Sequence, residues 1–103
     1  MKQQEQAAGG TPELVHNEAG SRYELRRDGK VAAVAQYQVE GDAVRFVHTE
    51  VDEQFEGQGL GSQIAAFALD DVKTRGLKAI PQCKFIAAYI ARHEQEYGEL
   101  VPH

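Results

Sequence analysis

Val51-Asp52-Glu53-Gln54-Phe55-Glu56-Gly57-Gln58-Gly59-Leu60-Gly61-Ser62 is the stretch where the chain changes period, and its reading decides the fold. Before it, apolar residues recur at every second position; after it, at every third or fourth. Three glycines in five positions let consecutive backbone N–H groups point into one concavity. The first turn of a following helix adds unpaired N–H groups and the positive end of its dipole. A turn of this kind holds phosphate. The bland alternative is a loop that merely turns the chain.

Upstream, residues 43–51 alternate, with Val44, Phe46 and His48 on one face and Val47, Thr49 and Val51 on the other. The Gly41-Asp42 turn precedes them, and residues 30–39 place Val31, Ala33, Ala35, Tyr37 and Val39 on one face. Asp28-Gly29 joins that run to residues 21–27, where Tyr23 and Leu25 alternate. An Asp-Gly pair between two such runs supplies the positive φ angles of a two-residue hairpin. With a short apolar start at residues 14–17, three to four antiparallel strands form a meander. Downstream, Leu60, Ile64, Phe67, Ala68 and Val72 mark an amphipathic helix that packs on a sheet, closed by Arg75-Gly76. Residues 77–80 make a short strand that Pro81 stops or sets at a sheet margin, and a second helix covers residues 85–92. From His93 to His103 the tail reads as irregular, with Tyr97, Leu100 and Val101 available to pack back. The fold class is α+β: meander, glycine turn, helix, short strand, helix.

Composition bounds the function. A chain of 103 residues has room for one core, and 42% hydrophobic with 26% charged residues is the make-up of a water-soluble globule. Sixteen acidic against eleven basic residues leave a net charge of −5, so the overall positive field that nucleic acid requires is missing. No apolar stretch suits a membrane anchor or signal peptide. Residues 1–12, rich in Gln, Ala and Gly, read as a flexible arm, and residues 13–103 as the domain. The single cysteine, Cys83, forms no internal disulfide and no multi-cysteine metal site, which makes a reducing cytoplasm the expected compartment. His16, His48, His93 and His103 have no metal-ligand spacing, so no metal is expected.

Two phosphate ligands are disfavoured by spacing. A mononucleotide loop needs Gly-Lys-Ser/Thr, and no lysine follows here. A dinucleotide fingerprint needs Gly-x-Gly-x-x-Gly after the first strand of a parallel unit, with an acid about 20 residues on. Here the spacing is Gly-x-Gly-x-Gly, the preceding strands are antiparallel, and Asp70 and Asp71 fall on the helix.

Val51, a short spacer and Gly57-Gln58-Gly59-Leu60-Gly61 opening an amphipathic helix resemble the acyl-CoA pyrophosphate loop of the GCN5-related N-acetyltransferases. His48-Thr49-Glu50-Val51, the glycine loop, Ile80-Pro81-x-Cys83, and Arg92-His93 followed by Tyr97 are similar to the small members of that superfamily, over most of residues 14–101. The resemblance implies acetyl-CoA as co-substrate, held by Val51, Gly57, Gln58, Gly59, Leu60, Gly61 and Ser62, and direct transfer of acetyl to an amine not identified by sequence. A strand amide would stabilise the developing oxyanion, with Cys83 or His48 moving protons. Where the family's loop carries Arg or Gln, this chain has Glu56. The N-terminal helices that cover the acceptor side of longer relatives have no room here. A second reading keeps the fold, with or without CoA binding, in a non-catalytic module that acts through a protein partner or a homodimer. A dinucleotide-binding oxidoreductase fragment is a third, for which the parallel unit is missing.

The residues themselves leave roles open. Cys83 precedes the second helix, whose dipole favours a thiolate usable as base or nucleophile; a free cysteine is equally a small buried hydrophobe. His48 is a candidate acceptor for an amine proton, and its phase with Val44 and Phe46 also suits a packed histidine. Tyr89 and Tyr97 are near in sequence to the position of a tyrosine that protonates the leaving thiolate in most relatives, without falling in register. Residues 72–92 carry Lys73, Arg75, Lys78, Lys84 and Arg92 with no acid, a local +5 against −10 for the other 82 residues. That segment is either a basic edge for the CoA phosphates or a solvated helix face.

Overall fold

A computed structural model describes residues 12–102; of the arm read at residues 1–12 only Pro12 is included, and His103 lies outside the described residues. Five strands form one sheet in sequence order: β1 (Glu13–Asn17), β2 (Arg22–Arg27), β3 (Lys30–Glu40), β4 (Ala43–Val51) and β5 (Lys78–Pro81). The first four are an antiparallel meander, and β5 joins β4 in parallel. Asp28 and Gly29 turn the first long hairpin at φ 54 and 76, the doubly positive geometry that matches strand twist.

A parallel neighbour requires a crossover, which α1 (Leu60–Thr74) supplies. Leu60, Ile64, Ala65, Ala68, Leu69 and Val72 are its buried face. Phe67, counted on that stripe from periodicity, lies half-buried at its edge, with its ring edge-on to Tyr23 at 5.6 Å. The helix ends in a paired motif, Gly76 N–H to Lys73 C=O and Leu77 N–H to Val72 C=O, which turns the chain directly into β5. Then α2 (Lys84–Arg92) buries Ile86, Tyr89 and Ile90. Both helices share one core with Tyr23, Leu25, Ala33, Ala35, Tyr37 and Phe46 of the sheet.

The expected α+β meander, helix, strand and helix are all present. The tail differs from its irregular reading: it forms α3 (Glu94–Tyr97) and a 3-10 turn at Gly98–Leu100. Tyr97 is buried, and its phenol donates to Asp70 Oδ1 at 2.7 Å. The neighbouring acid, Asp71, accepts from the Tyr23 phenol at 2.7 Å. Asp70 and Asp71 thus fasten the tail and β2 to α1.

Two irregularities set which side chains face the helices. Leu25 stands opposite Ala33 and Arg26 opposite Val31, so Ala32 is an extra residue in β3. Gln36 stands opposite His48 and Tyr37 opposite Phe46, so Val47 is extra in β4. A bulge shifts the alternation by one residue. After Val47 the helix-facing series Val44 and Phe46 continues with Thr49 and Val51, while His48 and Glu50 pass to the opposite, outer face. The expected phase of His48 with Val44 and Phe46 is therefore corrected. Val31 and Val39 are likewise exposed rather than members of a continuous buried row.

The outer face holds a carboxylate of its own. Glu24 is buried between Asn17, Arg22 and Arg26, at 3.0, 2.7 and 2.7 Å. The Asn17 amide and the two guanidinium groups hold its carboxyl at about 2 against the opposing effect of burial.

Candidate functional site

The site begins where the sheet splays. Pairing of β5 with β4 stops at Phe46 and Pro81, and Cys83 N–H donates to Phe46 C=O at 2.8 Å as the last backbone tie. Beyond it β4 runs on to Val51 while the other chain turns away into α2. Asp52 then accepts from Gln54 N at 2.9 Å and caps the short turn Glu53–Phe55, which brings Phe55 to the glycines.

Gly57 and Gly59 both adopt left-handed φ, 83 and 74, a region side-chained residues rarely enter. Gly59 is the N-cap of α1. The first hydrogen bond of that helix is Gln63 N–H to Gly59 C=O at 3.2 Å. The N–H groups of Leu60, Gly61 and Ser62 thus stand ahead of the ladder, free of intrahelical partners. Those residues, with Gly57, Gly59, Val51, Phe55, Glu56 and Phe85, line an open cavity of about 310 Å³. Its floor is backbone amide at a helix N-terminus; its walls are the apolar Val51, Phe55 and Phe85. At Gly61 an added Cβ would meet Phe85 Cζ at 2.8 Å, so a side chain there displaces the far end of that ring.

Of the seven residues expected at the cofactor, six line this cavity. The exception is Gln58, whose Oε1 instead accepts from Arg27 Nη1. Cys83 is the N-cap of α2, and its thiol donates to Thr49 Oγ1 at 3.3 Å. That places it on the helix side of β4, the side of Val51. His48 sits across the strand on the outer face, 3.4 Å from Glu50 and largely exposed. The two candidate proton carriers are close in the fold and separated by β4.

The tyrosines near the end of the chain have structural partners. Burial, then the hydrogen bond to Asp70, pushes the Tyr97 phenol up. The Tyr89 phenol is also raised, by burial and then by Glu96 and Asp70, and its ring stacks on His93 at 4.1 Å. Neither lines the cavity.

The basic segment is dispersed. Lys73 reaches Glu96 C=O, Arg75 pairs with Asp71 at 2.9 Å and Lys78 reaches Glu99 C=O. Lys73 and Arg75 sit about 20 Å along α1 from the glycine turn at 1.5 Å per residue. Lys84 precedes the lining residue Phe85 in sequence. The idea of a basic edge made by the whole segment is corrected accordingly.

Phe55 and Phe85 line the cavity, and Thr49 and Arg27 contact the candidates Cys83 and Gln58, although spacing did not single out any of the four. Arg27 had a signal: it continues the Tyr23, Leu25 alternation on the helix side of β2. Among the described residues no group of three His, Cys, Asp or Glu side chains is arranged to hold a metal ion. Among them, too, no helix is long and apolar enough to cross a membrane.

A sheet that opens beside an amide-lined cavity at the head of its crossover helix defines an α+β protein of meander, helix, strand and helix. Residues 22–100 match the family model described as GCN5-related N-acetyl-transferase, and the chain belongs to that family. Its fold is similar to a GCN5-like protein from Staphylococcus aureus solved by NMR, at 22% identity over 87% of each chain with a TM-score of 0.63. It is also similar to the ribosomal-protein-S18-alanine N-acetyltransferase from Escherichia coli, at 29% identity and TM-score 0.56, over 73% of this chain and 50% of that one. A search of curated protein sequences returned no significant match.

Proposed function

We propose that this protein binds acetyl-CoA at the 51–62 turn and transfers its acetyl group to an amine. The observation that carries the reading is the cavity in which Gly57, Gly59, Leu60, Gly61 and Ser62 face one opening at the N-terminus of α1. Family membership supports it.

The residues fit such a co-substrate by their chemistry. Three unpartnered amides and the helix dipole suit a pyrophosphate. Val51, Phe55 and Phe85 suit the apolar parts of an extended arm, and the splay beyond Phe46 leaves the β4 edge without β5 beside it. Acetyl-CoA supplies a thioester carbon; a C–N bond to the acceptor forms, the C–S bond breaks, and one proton passes from nitrogen to sulfur. Cys83 is held at the splay on the cofactor side, where Thr49 fixes its thiol. His48 is held on the outer face, where it can accept the amine's proton from an acceptor arriving on that side.

Calorimetric titration with acetyl-CoA tests the binding half. Gly59→Asp, which puts a carboxylate and a strained left-handed backbone into the nest, is expected to abolish binding. Binding that survives this change removes the loop from the reading.

The separation of Cys83 from His48 by β4, and of Tyr97 from the cavity, favours one alternative: a module that binds CoA without turnover. CoA release with acetyl-CoA and a panel of amines decides between them. Turnover that disappears in Cys83→Ala or His48→Ala marks an enzyme; binding with no release for any amine marks the module.

A further inference from the structure

The geometry points to Arg27 as the residue that positions the glycine turn for a phosphate ligand and supplies the positive charge the turn itself lacks. This rests on the acetyl-CoA reading above. Arg27 is the last residue of β2, and its alternation with Tyr23 and Leu25 puts it on the side of the sheet that carries α1. There its Nη1 donates to Gln58 Oε1, and its guanidinium carbon stands 5.9 Å from the centre of the Phe55 ring. Phe55 lines the cavity, as do both glycines that flank Gln58. One cationic side chain from a distant strand therefore grips the turn at two points.

Charge makes this contact matter for the ligand. Glu56 is the sole charged residue among those lining the cavity, and its carboxylate opposes an anion at the amides. The Arg27 guanidinium, fixed behind Gln58, offsets that repulsion from the strand side. Arginine suits both contacts, because its planar fork donates to an amide oxygen while its face lies over an aromatic ring. Lysine would carry the charge without the fork.

A residue that only braced the loop would influence CoA binding equally at all ionic strengths. A residue that acts through its charge loses its advantage as salt screens it. The experiment is a CoA titration of wild type, Arg27→Met, Arg27→Lys and the double variant Arg27→Met/Glu56→Gln, each at low and high salt. Arg27→Met is expected to bind CoA about tenfold more weakly at roughly 0.05 M salt, and the gap should shrink at roughly 0.5 M. Arg27→Lys should keep a large part of the affinity, and Glu56→Gln should recover it in the Met background. Should Arg27→Met fail to fold, Arg27→Gln, which keeps a donor and lacks the charge, is expected to show the same salt-dependent loss. Wild-type CoA affinity in the uncharged variants, or a loss that does not change with salt, overturns the proposal. If wild type binds no CoA, the cofactor reading falls and this role with it, so the wild-type titration tells the two failures apart.

Discussion

Gly61 shows how one missing methyl shapes the candidate site. Its α-carbon lies so close to the Phe85 ring that an added Cβ would sit 2.8 Å from Cζ. The ring is 37% exposed and free to swing at its far end, so Gly61→Ala should cost little stability, within about 1 kcal/mol. The displaced ring, however, is a wall of the cavity. CoA affinity is expected to fall about fivefold, equivalent to about 1 kcal/mol, with the melting temperature nearly unchanged. Phe85→Ala combined with Gly61→Ala should return part of that loss, as coupled neighbours do. Equal titration curves for wild type and Gly61→Ala would show that Phe85 does not border the ligand. The need for glycine at this position was legible only as a motif. The reason for it, an aromatic ring arriving from 24 residues downstream in α2, was not.

At the scale of elements, α3 is tied to α1 by the Tyr97 phenol on Asp70 and by Lys73 on the Glu96 carbonyl. Tyr97 is buried against α1 and bonded to Asp70, whose carboxylate is otherwise exposed. Tyr97→Phe removes the hydrogen bond and lets Asp70 return to water, so a loss of about 1 kcal/mol is expected in urea denaturation. Faster amide exchange should be confined to residues 94–100. A loss spread over the whole sheet would instead mean that the tail is integral to the core. The regular elements were readable because each residue type dictates its own geometry: Asp28-Gly29 the hairpin, the apolar spacing of Leu60, Ile64, Ala68 and Val72 the helix. The bulge at Val47 was not, since an extra residue in a strand leaves the composition of both faces looking ordinary. That single insertion moves His48 from the expected core phase to the outer face and parts it from Cys83. The tail was misread for a related reason: four residues are too few to display helical periodicity, and its order comes from a tertiary contact.

Across the whole molecule, net charge conceals how charges are arranged. Three of the five cations of residues 72–92, Lys73, Arg75 and Lys78, lie at the far end of α1 on Asp71 and on carbonyls of the tail, so they tie elements together rather than serving the cavity. On the outer face, Glu24 does the same for β1 and β2, and its effect can be read through pH. Its carboxyl titrates at about 2 in the folded chain against an ordinary 4.5. Between those values the unfolded chain binds the extra proton, so protonation pulls toward unfolding. The stabilisation is fully present above about pH 4.5 and is lost as pH falls toward about 2. Glu24→Gln removes this charge-dependent stabilisation while keeping an acceptor for Asn17, Arg22 and Arg26. The variant should melt lower than wild type at pH 7, and the difference should narrow steadily as the buffer is taken from pH 5 to pH 2.5. Parallel melting curves over that range would assign the acid sensitivity to other carboxylates and leave Glu24 as a neutral packing element of the sheet.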